Sequence, residues 1–478
     1  MLFNSIAYLI FLPLVFLLYW FAMGGSLRRQ NILLLVASYY FYASWDWRFL
    51  FLLIFSTFLD YFTGLKMQSA RNRNARHCWF WLSVFVNLGF LGVFKYYNFF
   101  AISFAALLGH FGLYADPTTL QVILPVGISF YTFHGLSYVI DIYKERIPAE
   151  RDFVDYAVFV CFFPLLVAGP IERATHLLPQ VKRSRTFSIA QGIDGLRQIL
   201  WGLFKKIVIA DQCAGFVNTI FHVPASHSGS TLALGAFLFS IQIYGDFSGY
   251  SDIAIGSARL LGFDLLRNFA YPYFSRDIAE FWRRWHISLS SWFRDYLYVP
   301  LGGSRGGTWT RVRNTFIIFI VSGFWHGANW TFLVWGFLNA LYIMPSILVK
   351  KNRIHLDIVA SDTMLPSLRE AGMMLTTFIL TTFAWIFFRA ESMGHAMEYT
   401  HKLFSPSLLK APGILPLGLL MMIAAFLAVE WIGRREAYGI AKLGLHWSKP
   451  LRHSLYYLLI LAVFWYANGH TQFIYFQF

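Results

Sequence analysis

Apolar runs recur from one end of this chain to the other, each long enough to cross or enter a lipid bilayer. They lie near 3–22, 31–44, 48–66, 78–96, 98–113, 121–140, 153–169, 194–211, 229–262, 312–324, 328–349, 370–388, 413–432 and 453–467. A spanning helix needs about 20 mostly apolar residues, and shorter runs suffice for re-entrant pieces. The run at 229–262 is long enough to bend or to form two helices. The pattern predicts an all-α, polytopic integral membrane protein, a single membrane domain over 1–478, with about 10 to 13 spans plus re-entrant and interfacial helices. The first run has no basic stretch before it and leads into further spans, so it reads as a retained helix and not a cleaved signal.

Composition agrees. The 478 residues are 57% hydrophobic, 20% aromatic and 13% charged, against about 25% charged in soluble domains. The net charge of +15 would raise nucleic acid as a partner of a soluble protein. Here the basic residues fill short gaps between apolar runs: Arg28 and Arg29, Arg71 to Arg76, Lys182 to Arg185, Lys350 to Arg353, Arg434 and Arg435. Short basic loops mark cytoplasmic faces and meet anionic lipid. Membrane lipid is therefore the expected partner, and nucleic acid is not. Cys78, Cys161 and Cys213 are odd in number and scattered, with no disulfide framework and no metal-ligand spacing.

Glycine and proline in "LPVGISFYTFHGLSY", "VAGPIER" and "YGDFSGYSDIAIG" suggest irregular backbone inside the protein, where a bilayer tolerates it. No internal repeat is visible, which argues against repeat-built transporters. The polar exception is 263–315, too charged to span. On a helical wheel over 278–296, Ile278, Phe281, Trp282, Trp285, Leu289, Trp292, Phe293 and Tyr296 form one stripe. Arg283, Ser290, Ser291 and Arg294 fall opposite, and His286 falls at the border. The block predicts one amphipathic helix, in the interface or beside a polar cavity, ended by Pro300 and a glycine loop.

Ionisable groups at membrane depth are costly and point to function. His326 in "FWHGANW" sits at a break between two apolar runs, with Trp325 and Asn329 beside it. It reads either as a general base acting on a hydroxyl or as a structural histidine bonded across helices. No carboxylate or second histidine lies three or four residues further on, so zinc ligation is not indicated. His286 with Arg283, Arg284 and Arg294 could hold an anionic ligand, or the basic face could simply meet lipid head groups. Asp246, Tyr250 and Asp252 could line a cavity, though pairing with basic groups is the simpler reading. Asp141, Glu172 and Arg173, and the midsegment His134, read as structural. There is no Gly-x-Ser-x-Gly elbow, phosphate-binding loop or dinucleotide fingerprint. A membrane enzyme built around a buried histidine fits these residues.

The stretches "LPVGISFYTFHGLSYVIDIYK", "LLVAGPIER", "IYGDFSGYSDIAIGSARLLGF", "RDIAEFWRRWHISLSSWFRDYLYVPLGG", "FWHGANWTFLVWG" and the C-terminal "FIYFQF" together resemble the bacterial membrane-bound O-acyltransferase family. The resemblance covers nearly the whole chain and is nearest the branch that O-acetylates alginate, cellulose and peptidoglycan. The branch that transfers D-alanine to teichoic acid is more distant. His134 departs from the pattern, where glutamine is expected.

The resemblance implies a ring of tilted helices around a thin, funnel-shaped centre in a bacterial cytoplasmic (inner) membrane. It maps the family's essential histidine onto His326 and its second characteristic polar position onto His286. It implies acetyl-CoA, or another acyl thioester, as a cytoplasmic donor substrate with no bound cofactor. The acceptor is an extracytoplasmic polysaccharide, reached through a periplasmic acetyltransferase partner. Arg283, Arg284 and Arg294 become contacts for phosphate or acidic glycan, and Asn329 or nearby backbone N–H groups for an oxyanion. A transporter of glycan or acyl carrier, or a scaffold anchoring a separate acetyltransferase, would need neither histidine block.

Overall fold

The computed structural model describes residues 1–467 apart from 115, 122 and 168. The C-terminal "FIYFQF" lies outside the described residues. Among the described residues there are nineteen α-helices and no strand. A helix satisfies its own backbone polar groups, which lipid cannot do. Four helices are long and apolar enough to cross a membrane: Arg48–Ser69, Arg73–His110, Trp330–Leu348 and Leu368–Arg389. Ile6–Ala22 and Leu417–Ile432 are apolar but shorter. The protein is a multi-pass membrane protein. The chain divides into two compact units, residues 1–192 with 257–266, and residues 193–256 with 267–478.

In the first unit the irregular backbone predicted from glycine and proline is present. The helix Phe153–Cys161 stops, and turns run on through 162–167 with Phe162, Phe163, Leu165 and Leu166 buried. Gly127, at φ +76°, caps Ile128–Tyr143 against this turn. A Cβ on Gly127 would sit 2.3 Å from the Leu166 carbonyl oxygen, so only glycine fits. His134 is structural: its Nε2 accepts the Glu172 N–H at 3.1 Å, and its Nδ1 lies 3.4 Å from the Val160 carbonyl oxygen. Glu172 in turn meets His176 at 2.8 Å and accepts the Leu266 N–H at 2.6 Å.

In the second unit "YGDFSGYSDIAIG" forms neither a bend nor two pieces. It lies within one continuous helix, Gly229–Leu260. Its glycines serve close approach instead. A Cβ on Gly249 would sit 2.7 Å from the Gly202 carbonyl oxygen, the small-residue packing typical of helices in lipid. That approach lets two buried lysines on the π-helical stretch Phe204–Ala210 reach carboxylates. Lys205 pairs with Asp252 at 2.6 Å, and Lys206 with both Asp246 and Asp211 at 2.7 Å. The helices Gly307–His326 and Trp330–Leu348 pack through Gly323 and Gly336. A Cβ on either would lie 2.2 Å from a backbone oxygen of the other helix, Phe332 or Phe319.

Candidate active site

His326 is the last residue of Gly307–His326 and is 6% exposed. Gly327 turns the chain to extended backbone, and Asn329 caps the next helix. The Asn329 side-chain oxygen accepts the Thr331 N–H at 3.1 Å, and its amide donates to the Glu391 carbonyl at 2.8 Å. One of the two amide N–H donors is thus engaged in structure, and the second remains for another acceptor. Rings wall His326 on three sides: Trp325 at 4.8 Å, Trp335 at 5.1 Å and Phe388 at 5.2 Å between centroids.

The predicted single helix over 278–296 is broken. Ile278–Arg284 and Ile287–Phe293 are separate seven-residue helices, followed by a π-helical turn at Arg294–Tyr298. At the break Trp285 is extended and His286 is left-handed, with φ +44° and ψ +54°. Such a conformation costs about 1–2 kcal/mol for a residue other than glycine, so the surroundings must impose it. The gain is aromatic packing. Trp285 stacks on Phe281 with ring planes 19° apart and meets Trp385 at 5.0 Å. His286 is 1% exposed and meets Phe247 nearly perpendicularly at 4.7 Å and Trp325 at 6.2 Å. Neither of its ring nitrogens has a hydrogen-bond partner among the described residues. Burial pushes its imidazole down to about 3, so it is neutral near pH 7.

His286 and His326 line one cavity of about 490 Å³. Trp285, Leu289, Phe319 and Ser322 join them, and the exposed Arg294 and Arg353 with the part-buried Arg283 and Arg311 also line it. Of the three arginines predicted as ligand contacts, Arg283 and Arg294 are therefore at the cavity. Arg283 donates to the Asn352 and His355 carbonyls at 3.0 and 2.8 Å, and Arg294 pairs with Asp295. Arg284 is not in the lining; it is tied to Glu280 at 2.8 Å and to the Asp357 carbonyl. Asp246 and Tyr250 are also outside the lining, gathered on Lys206, whose Nζ is 5.6 Å from the Tyr250 ring centroid. Trp325 does not line the cavity but touches both histidine rings. Ser322, Arg311 and Arg353 were not singled out by sequence, Arg353 because it sits in a basic run that reads as a loop.

The arrangement places two buried imidazoles and several cations around one largely apolar space, suited to an anionic ligand with a reactive end. Residues 144–361, which contain the whole cavity lining, match the membrane-bound O-acyltransferase family. The chain is 38% identical to the probable alginate O-acetylase AlgI of Pseudomonas putida, over 100% of both chains. It is 36% identical to the peptidoglycan O-acetyltransferase of Helicobacter pylori over 83% of this chain and 79% of the relative. It is 29% identical to the teichoic acid D-alanyltransferase of Bacillus subtilis over 45% of this chain and 57% of the relative. The chain belongs to the membrane-bound O-acyltransferase family, and it is a membrane O-acyltransferase.

Proposed function

We propose that the protein takes an acetyl group from acetyl-CoA at the cytoplasmic face of a bacterial inner membrane and delivers it for O-acetylation of an extracytoplasmic polysaccharide of the alginate type. The observation that carries this reading is the shared cavity, with His286 and His326 in its lining together with Arg283, Arg294, Arg311 and Arg353. Full-length similarity to a probable alginate O-acetylase supports the acceptor class. The similarity to a peptidoglycan O-acetyltransferase keeps that polymer as the second acceptor.

In this reading the arginines take the phosphates of coenzyme A, and the thioester reaches the histidines. The acceptor hydroxyl attacks the thioester carbonyl while His326 takes its proton. The tetrahedral intermediate collapses with loss of the coenzyme A thiolate, a good leaving group, and the proton passes from His326 to that sulfur. No acyl-enzyme is needed. His286, neutral and with open ring nitrogens, suits a hydrogen bond to the carbonyl oxygen as negative charge develops on it. Transfer to the polymer runs through a periplasmic acetyltransferase partner.

The test is vectorial. The protein is reconstituted in vesicles with labelled acetyl-CoA on one side, and alginate oligosaccharide with the periplasmic partner on the other. Label on the enclosed glycan is the expected result. Coenzyme A release with label confined to the donor side would overturn the transmembrane reading, and label on peptidoglycan fragments alone would move the acceptor.

A further inference from the structure

We propose that Asn268 is a positioning residue for His286, holding the left-handed turn that sets the imidazole in the cavity wall. The inference rests on His286 being part of the acyl-transfer site.

The segment 268–270 lies along the break between the two short helices. The Ala270 N–H donates to the Arg284 carbonyl at 3.0 Å, and the Asn268 carbonyl accepts the Ile287 N–H at 2.8 Å. Trp285 and His286 are the two residues between these bonds, so the break is pinned on both sides. The Trp285 N–H closes the preceding helix on the Phe281 carbonyl at 2.8 Å. His286 is neither glycine nor asparagine, so its positive φ persists only where neighbours over-determine it.

Main-chain bonds could come from any residue at 268. The side chain adds the specific part. The Ser288 hydroxyl donates to the Asn268 side-chain oxygen at 2.6 Å, with Asn268 0% and Ser288 1% exposed. A residue on each side of the bond is thus fixed in a dry setting, where such a bond is strong. Asn268 therefore grips the chain at Ile287 and at Ser288, the two residues immediately after His286. The Asn268 side-chain nitrogen has no partner among the described residues, and neither do the hydroxyls of Ser248 and Ser251. All three residues line a second cavity of about 20 Å³, room for about one water. An aliphatic residue at 268 would lose the Ser288 bond and the polar wall together, while aspartate would keep the acceptor oxygen.

The experiment measures coenzyme A release in detergent, with acceptor present, by wild type, Asn268→Ala, Asn268→Asp, Ser288→Ala and His286→Ala, and by Asn268→Ala and Ser288→Ala each made in the His286→Ala background. Protein amount and elution profile are matched first. Asn268→Ala and Ser288→Ala should each lower kcat about tenfold or more with little change in KM, the scale of loss expected when a reacting group is misplaced. Asn268→Asp should recover most of that rate. Neither change should lower the rate further once His286 is alanine. If His286→Ala is impaired while Ser288→Ala runs at the wild-type rate, the proposal is overturned, and this holds even where Asn268→Ala fails to accumulate. Losses that multiply in the His286→Ala background would also overturn it, since they would place the effect elsewhere. Wild-type turnover by His286→Ala itself would instead sink the reading of His286 as a site residue.

Discussion

The rings of His326 and Trp335 meet nearly at right angles, 85° between planes and 5.1 Å between centroids. Trp335 is itself stacked on Trp385 at 5.6 Å with planes 22° apart. The proposed base is therefore held by a stack of buried indoles. Trp335→Ala should destabilise the protein by about 3–5 kcal/mol, the range for a buried aromatic truncation. It should lower turnover beyond the loss of folded protein. Trp335→Phe should cost less on both counts. Thermal unfolding in detergent beside coenzyme A release per folded molecule checks this; equal activity in all three proteins would detach the stack from His326.

Gly323 and Gly336 set the approach of the two helices that flank His326. A methyl group on either meets backbone, which cannot rotate away. Gly323→Ala should destabilise by about 1–3 kcal/mol through overpacking and should displace the end of the helix that carries His326. An unchanged melting temperature for both alanine variants would show that the hairpin is looser than described.

The Lys206 ammonium bridges the carboxylates of Asp246 and Asp211, 2.7 Å from each. Lys206→Met should take the shared ammonium away from two buried carboxylates and destabilise by about 3–5 kcal/mol. The level of folded protein in membranes should fall sharply, while the KM of the surviving fraction stays unchanged, because these groups are outside the cavity lining. A raised KM with a normal protein level would instead place the cluster in substrate binding.

Arg294 and Arg353 are exposed where they join the cavity lining. Arg294→Gln and Arg353→Gln should raise the KM for acetyl-CoA severalfold with kcat little changed, the signature of a lost ground-state contact. The effect should shrink as salt is raised. A lowered kcat at constant KM would move these arginines from donor binding to the chemistry.

The fold class is legible in the sequence because a bilayer leaves few choices: long apolar runs become helices, and Gly127 marks where one of them starts. The site is legible in part. His286, His326, Arg283 and Arg294 stand out as polar residues in apolar surroundings, and they share one cavity. The break at His286 is not legible, because a wheel over 278–296 shows the same apolar stripe for one helix or for two short ones. Left-handed backbone at a histidine leaves no mark of the kind glycine leaves. The glycines of Gly229–Leu260 mislead for a related reason: lacking side chains, they fit a break and a close helix contact equally well. Arg284 and Arg294 both carry exposed-looking charge in sequence, and only the third dimension separates the one bound to Glu280 from the one at the cavity.

The most direct measurement is coenzyme A release from acetyl-CoA by purified wild type, His326→Ala and His326→Gln, with acceptor present and folded protein matched. Turnover is expected in wild type, with a loss of at least about a hundredfold in both variants, the scale of general-base catalysis. Equal turnover in the three proteins would contradict this and remove His326 from the chemistry.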